Sequence, residues 1–172
     1  MPMSDDRIVS LLQQSGQEGL SLLYERYANA LYGVIFHIVR DTPAAEEVLQ
    51  DALMKIWKNA ANFDPEKGSF LNWILQIARN AAIDRVRLKR FSNKSEPIEP
   101  VFQSLQEQPI NPETIGLADL VQKLEPGQQE IIELIYFQGY SQSEAAERLG
   151  MPLGTLKSRL YAAINKLSAM FT

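Results

Sequence analysis

The chain has 172 residues, room for one domain or for two small ones joined by a linker. Its 17 Lys and Arg against 21 Asp and Glu give a net charge of −4, which excludes a wholesale basic coat for nucleic acid and leaves that task to local patches. With no Cys and a single His, His37, the composition excludes disulfides and Cys/His zinc sites, and any Ser-His nucleophile system would have to use His37 itself. No catalytic residue, metal or cofactor is therefore expected, and the chain is not expected to be an enzyme.

The longest apolar stretch, Leu31 to Val39, is interrupted by His37 and falls short of the ~20 residues of a membrane span. Met1 to Ser10 carries Asp5 and Asp6 and lacks the basic-then-apolar pattern of an export leader. The expectation is a cytoplasmic protein with no membrane insertion.

Charge and turn residues divide the chain into residues 1–90, 91–113 and 114–172, with net charges of 0, −3 and −1. In the first piece Leu20, Leu23, Tyr27, Leu31 and Val34 repeat at helical spacing. Asp41-Thr42-Pro43 is a break, with Thr42 expected to cap a new helix and Pro43 at its first position. Val48, Leu49, Ala52 and Ile56 continue a buried stripe, and Asn62 to Gly68 reads as a loop. Ser69 is expected to cap the next helix, whose apolar face is Phe70, Trp73, Ile74, Ile77 and Ala81. The middle piece holds four of the nine prolines, each removing an amide donor and disfavouring helix before it, and reads as an extended acidic linker. In the last piece Leu117, Leu120, Val121 and Leu124 predict a helix closed by Pro126-Gly127, and Ile131, Leu134 and Ile135 predict a second. Two short helices around Gly150 follow. Alternating strand patterns with hairpin turns are absent, so the fold class is all-α: two small helical domains joined by a flexible linker.

The run from Ser141 to Leu167 carries the most specific local signal. Ser141 and Glu144 form S-x-x-E, a capping box, and Gly150 suits a left-handed helix end. Pro152 then separates this helix from the next, which gives a helix-turn-helix. On the second helix Leu153, Leu156, Leu160, Ile164 and Leu167 share one stripe, while Thr155, Ser158 and Ala162 lie almost opposite. Arg159 and Lys166 flank that small polar face, and Lys157 lies nearer the leucine stripe. Hydroxyls with basic edges suit the major groove, where bulky side chains would block approach.

Two further segments carry charge. RNAAIDRVRLKR, residues 79–90, has five basic residues against Asp84. It reads either as a phosphate-binding surface or as a solvated helix end complementing its own dipole. Glu46, Glu47, Gln50 and Asp51 crowd the start of another helix, either as a docking face for a basic protein surface or as a solvated helix start. In the loop between them Phe63, Phe70 and Trp73 mix with polar groups; exposed rings would stack bases, and Trp73 is read as core.

These three blocks, in this order, resemble a bacterial RNA polymerase sigma factor of the extracytoplasmic-function (ECF) class, over about Leu20 to Leu167. AEEVLQDALMKIW (45–57) is similar to the part of sigma domain two that docks on the polymerase clamp helices. FDPEKGSFLNWILQIARNAAIDRVRLKR (63–90) is similar to the melting loop and the helix that reads the −10 element, and GYSQSEAAERLGMPLGTLKSRLYAA (139–163) to the domain-four helix-turn-helix that reads the −35 element. The resemblance implies domain two at 1–90, a linker at 91–113 threading a basic polymerase channel, and domain four at 114–172. It implies clamp docking by Glu46, Glu47, Gln50 and Asp51. It implies −10 binding and melting by Asn62, Phe63, Lys67, Ser69, Arg79, Asn80, Arg85, Arg87 and Arg90. It implies −35 binding by Thr155, Lys157, Ser158, Arg159 and Lys166. The implied partners are core RNA polymerase (clamp helices and flap), promoter DNA and an anti-sigma factor. Two positions depart from the family: Ala162 stands where an Arg is common, which shifts reliance to Arg159 and Lys166, and Tyr140 where a small aliphatic residue is more usual, which should affect packing only. The helix-turn-helix by itself also permits a conventional transcription regulator with an amino-terminal sensor or dimerisation domain, binding as a dimer to palindromic half-sites.

Overall fold

The computed structural model describes residues 4–14, 16–92 and 115–171, with the side chains of 90–92, 115 and 116 excepted. Most of the linker therefore lies outside the described residues. The described residues form an all-α structure, with no strand among them.

The amino-terminal half comprises α1 (Asp5–Gln14), α2 (Gly16–Val39), α3 (Thr42–Lys58), a 3₁₀ turn (Ala60–Asn62) and α4 (Phe70–Ser92). The carboxy-terminal half comprises α5 (Ile115–Gln122), α6 (Pro126–Ile132), which runs on as a π-helical turn (Glu133–Phe137), then α7 (Gln142–Leu149) and α8 (Leu153–Met170).

α2 is the spine of the molecule. From Ala30 to Ile38 every residue is buried, so this part of the helix has no solvent face. A helix apolar all round is one that other elements cover all round. Here α1, α3 and α4 cover part of it, and α5 and the π turn of the other half cover the rest. His37, which interrupts the run, is itself buried; its Nδ1 lies 2.6 Å from the Gly33 carbonyl and its ring 4.5 Å from that of Phe137. Loss of water pushes the His37 pKa down, so the ring is held neutral. α2 ends at Arg40, in the left-handed region at φ 57°, with its amide on the Phe36 carbonyl and its Nε donating to the His37 carbonyl.

Local chemistry places most boundaries. α3 is capped by Asp41, not by Thr42: Asp41 is extended and its carboxylate accepts the Ala44 amide at 2.9 Å, which leaves Thr42 as the first helical residue beside Pro43. Ser69 caps α4 by accepting the Asn72 amide at 3.2 Å. Pro126-Gly127 opens α6 and does not close α5, because proline's missing amide costs nothing in a first turn. α8 is not short; it runs 18 residues, so only its first part belongs to the helix-turn-helix. Both halves contribute to one contiguous core, with Ile35, Leu71 and Ile74 on one side and Ile131, Ile135 and Leu167 on the other. Among the described residues no helix is long and apolar enough to cross a membrane, and no group of three or more His, Asp or Glu is placed to hold a metal ion.

Candidate nucleic-acid interface

The helix-turn-helix is built by short-range bonds. Ser141 Oγ accepts the Glu144 amide at 3.1 Å, and Glu144 Oε2 accepts the Ser141 amide at 2.8 Å, which closes the capping box. Gly150 ends α7 at φ 64°, ψ 35°, and the Met151 amide reaches back to the Ala146 carbonyl at 3.0 Å. This is a Schellman end, cheap only for a residue without Cβ. Leu156, Leu160, Ala163, Ile164 and Leu167 are buried, whereas Leu153, one residue past the turn, is 37% exposed and lies off the core. Tyr140 is buried under the Arg148 guanidinium, 4.7 Å from its ring centroid, so the departure from a small aliphatic residue is accommodated as packing.

Away from those leucines, Thr155, Ser158 and Arg159 are exposed together with Gly154 open beside them, and Lys157, nearer the leucine stripe, is exposed as well. The Ser158 hydroxyl donates to the Gly154 carbonyl at 3.1 Å. Lys166 is exposed but turned toward α6, where its Nζ lies 3.0 Å from Glu125 Oε1 and 3.4 Å from Gln128 Oε1. Ala162 is exposed and adds no charge to this face.

The loop and α4 behave differently. Asp64 Oδ1 accepts the Glu66 amide at 2.9 Å, which holds the loop as an Asx turn and leaves Asn62 and Lys67 exposed. Phe63 is half-buried, its ring 5.5 Å from Phe70 and 5.4 Å from Trp73. Trp73 is half-buried in this cluster, less enclosed than a core reading expects. Along α4, Asn80 and Arg87 are exposed, while Arg85 is paired with Glu47 on α3 at 2.9 Å. The side chain of Arg90 lies outside the described residues.

Arg79 points away from solvent, into the carboxy-terminal half. Its Nε donates to the Ile135 carbonyl at 2.7 Å, and its Nη2 to the Tyr140 carbonyl at 2.7 Å and the Gly139 carbonyl at 3.3 Å. Its Nη1 donates to Asn80 Oδ1 at 3.3 Å. Burial lowers its pKa from the usual arginine value. Beside it lies a polar cleft of about 400 Å³ between α4 and the start of α7, lined by Asn80, Asp84, Arg87, Ser141 and Glu144.

Other contacts join the halves. The Tyr136 hydroxyl donates to Asn72 Oδ1 at 3.1 Å, and burial raises its pKa. Ser168 Oγ donates to Ser69 Oγ at 3.2 Å. Arg26 Nη2 donates to the Phe171 carbonyl at 2.7 Å, and the Phe171 ring lies 5.3 Å from Tyr27.

On α3, Glu46, Glu47, Gln50 and Asp51 are exposed on one side. Met54 and Trp57, 38% and 37% exposed, extend the same stripe toward the end of the helix. Sequence reasoning missed this pair. Their spacing carries a signal, since Met54 and Trp57 fall in phase with Glu46 and Gln50 and not with Val48, Ala52 and Ile56. Trp57 covers Gly16, where a Cβ would collide with the indole.

Residues 23–91 match the Sigma-70 region 2 family model and residues 115–167 the Sigma-70 region 4 model. The chain is 30% identical to the ECF RNA polymerase sigma factor SigK of Mycolicibacterium vanbaalenii, over 97% of this chain and 90% of that protein. It is also 30% identical to SigK of Mycobacterium tuberculosis, over 94% and 90%. Its fold is similar to the crystal structure of Rhodobacter sphaeroides SigE in complex with the anti-sigma ChrR, with a TM-score of 0.53, 26% identity and 96% of each chain covered. The region 2 match occupies the part of the chain that the regulator reading reserved for a sensor or dimerisation domain. Two sigma regions in order and a near full-length likeness to SigK together establish that the chain belongs to the ECF RNA polymerase sigma factors.

Proposed function

We propose that this sigma factor divides promoter recognition between its halves as follows. The exposed stripe of α3, Glu46, Glu47, Gln50 and Asp51 with Met54 and Trp57, docks on the clamp helices of core polymerase. The Asn62–Ser69 loop holds a base extruded from the non-template strand, whose unstacking costs a few kcal/mol. Asn80, Arg85, Arg87 and Arg90, with Arg79 once it is released, bind the −10 element, and Phe63 shapes the loop. Thr155, Lys157, Ser158 and Arg159 read the −35 element, with Lys166 at its edge. Domain two is assigned to residues 1–90, domain four to 114–172 and the polymerase channel to 91–113. The protein acts in the cytoplasm as a specificity subunit with no chemistry of its own. The Rhodobacter sphaeroides SigE structure holds an anti-sigma, and a partner of that kind is assigned here too.

The observation that carries this reading is the open polar face of α8. Four small or basic side chains stand clear of the core on a helix that follows a capped α7 and its Gly150 turn. Net acidity fits the same picture, since phosphates are repelled over most of the surface and polymerase supplies the missing positive charge. Purified protein added to core polymerase and a promoter library is expected to give discrete start sites. No start sites above core alone would overturn the reading, as would tight, specific promoter binding by the isolated chain at physiological salt.

A further inference from the structure

Arg79 occupies a position that a DNA ligand cannot keep. α6 and its π turn end at Phe137, and the last carbonyls of a helix have no donors of their own and carry the negative end of its dipole. Arg79 meets that end from the other half of the molecule. Four of its five N–H groups are engaged, three on backbone carbonyls of domain four and one on Asn80. A guanidinium so committed has one N–H left, too few for a two-pronged grip on a phosphate. Ser69, a second −10 candidate, carries the Ser168 hydroxyl.

The arrangement is also too short for a promoter. Elements named −35 and −10 lie about 25 base pairs apart, or about 85 Å at 3.4 Å per pair. Here Ser158 lies ten residues along α8 from Ser168, roughly 15 Å at 1.5 Å per residue, and Ser168 touches Ser69. The two reading surfaces cannot both engage DNA in this state. The 22 residues 93–114 could reach about 75 Å if fully extended, so the chain has the length to open.

We propose that Arg79 has two mutually exclusive sets of partners. In the free chain it latches domain four across the −10 surface. When polymerase draws domain four away, the same guanidinium exchanges neutral carbonyl oxygens for phosphate oxygens. Opening therefore creates a DNA ligand and uncovers Ser69 in one step. The inference rests on the two-element promoter reading above.

The test uses the full chain. X-ray scattering of the free protein is expected to give a radius of gyration near 16 Å, the compact value for 172 residues. A value well above about 20 Å overturns the closed state. Arg79→Ala is expected to expand the free chain in the absence of DNA and polymerase, with helical circular dichroism unchanged. A role in DNA binding alone would leave scattering where it was, and that result overturns the latch. Tyr136→Phe removes the neighbouring bond to Asn72 without touching a DNA-reading residue. It is expected to speed open-complex formation severalfold, and an unchanged or slower rate counts against masking. If the wild-type chain fails to initiate with core polymerase, the promoter reading falls while scattering still decides the latch.

Discussion

The two regions proposed to read DNA are made in opposite ways. The α8 face is fixed by bonds between residues three to five apart, and it stands open to solvent. The α4 face is set by contacts 56 to 99 residues away, and it is partly covered. A surface built locally stays presented whatever the rest of the chain does. A surface built by distant contacts can be taken apart and remade.

Breaking the local side is expected to have the largest effect. Leu156 is fully buried beneath the α8 face, and Leu156→Ala is expected to cost about 2–5 kcal/mol, read as a lower thermal midpoint and loss of −35-dependent transcription together. Arg159→Ala removes an exposed guanidinium from the proposed reading face and should weaken −35-dependent initiation by about 1–3 kcal/mol without moving the melting temperature. Unchanged initiation would remove Arg159 from the reading set. Ser141→Ala opens the capping box and is expected to cost about 1 kcal/mol, measurable by denaturant unfolding. Lys166→Ala breaks only an exposed pair with Glu125, and its effect on stability is expected to stay within about 0.5 kcal/mol.

Acidity sharpens the comparison from the other side. His37, buried against Phe137 at the junction of the halves, has its pKa lowered from 6.5, first by loss of water and further by Arg40, while the Gly33 carbonyl and then Glu133 oppose the shift. The unfolded chain therefore binds a proton on His37 at a higher pH than the folded chain does. As pH falls through 6.5 the unfolded state gains protons first, and this contribution to stability declines. Urea midpoints measured between pH 7.5 and 5.5 should fall, and His37→Gln should flatten that part of the profile.

What could be read in the sequence follows the same division. The capping box, the Gly150 turn and the stripe from Leu156 to Leu167 depend on neighbours within a few residues, so their spacing is visible in one dimension. The placing of Pro126-Gly127 was harder, because proline both ends helices and begins them and only the following turn decides. The cap on α3 went to Asp41 because its carboxylate reaches the Ala44 amide, a choice that two adjacent capping residues leave open. The partners of Arg79 were not legible at all, since a local +4 charge says nothing of a carbonyl cluster on another helix. One trace of the closed arrangement was visible: the run from Leu31 to Val39 is too apolar for a helix with a wet side. Its length marked it as no membrane span, and its burial by both halves accounts for it.

The contact between Arg79 and domain four has a genetic consequence. Its three acceptors are main-chain oxygens of Ile135, Gly139 and Tyr140, which every amino acid supplies. Substitutions at those three positions can reshape the surroundings but cannot delete the acceptors. A screen for free chains that open more readily should therefore return changes at codon 79, or at residues that hold the π turn in place, and few at the positions that accept the bonds. Inheritance of this contact rests on a single side chain and the shape of a backbone.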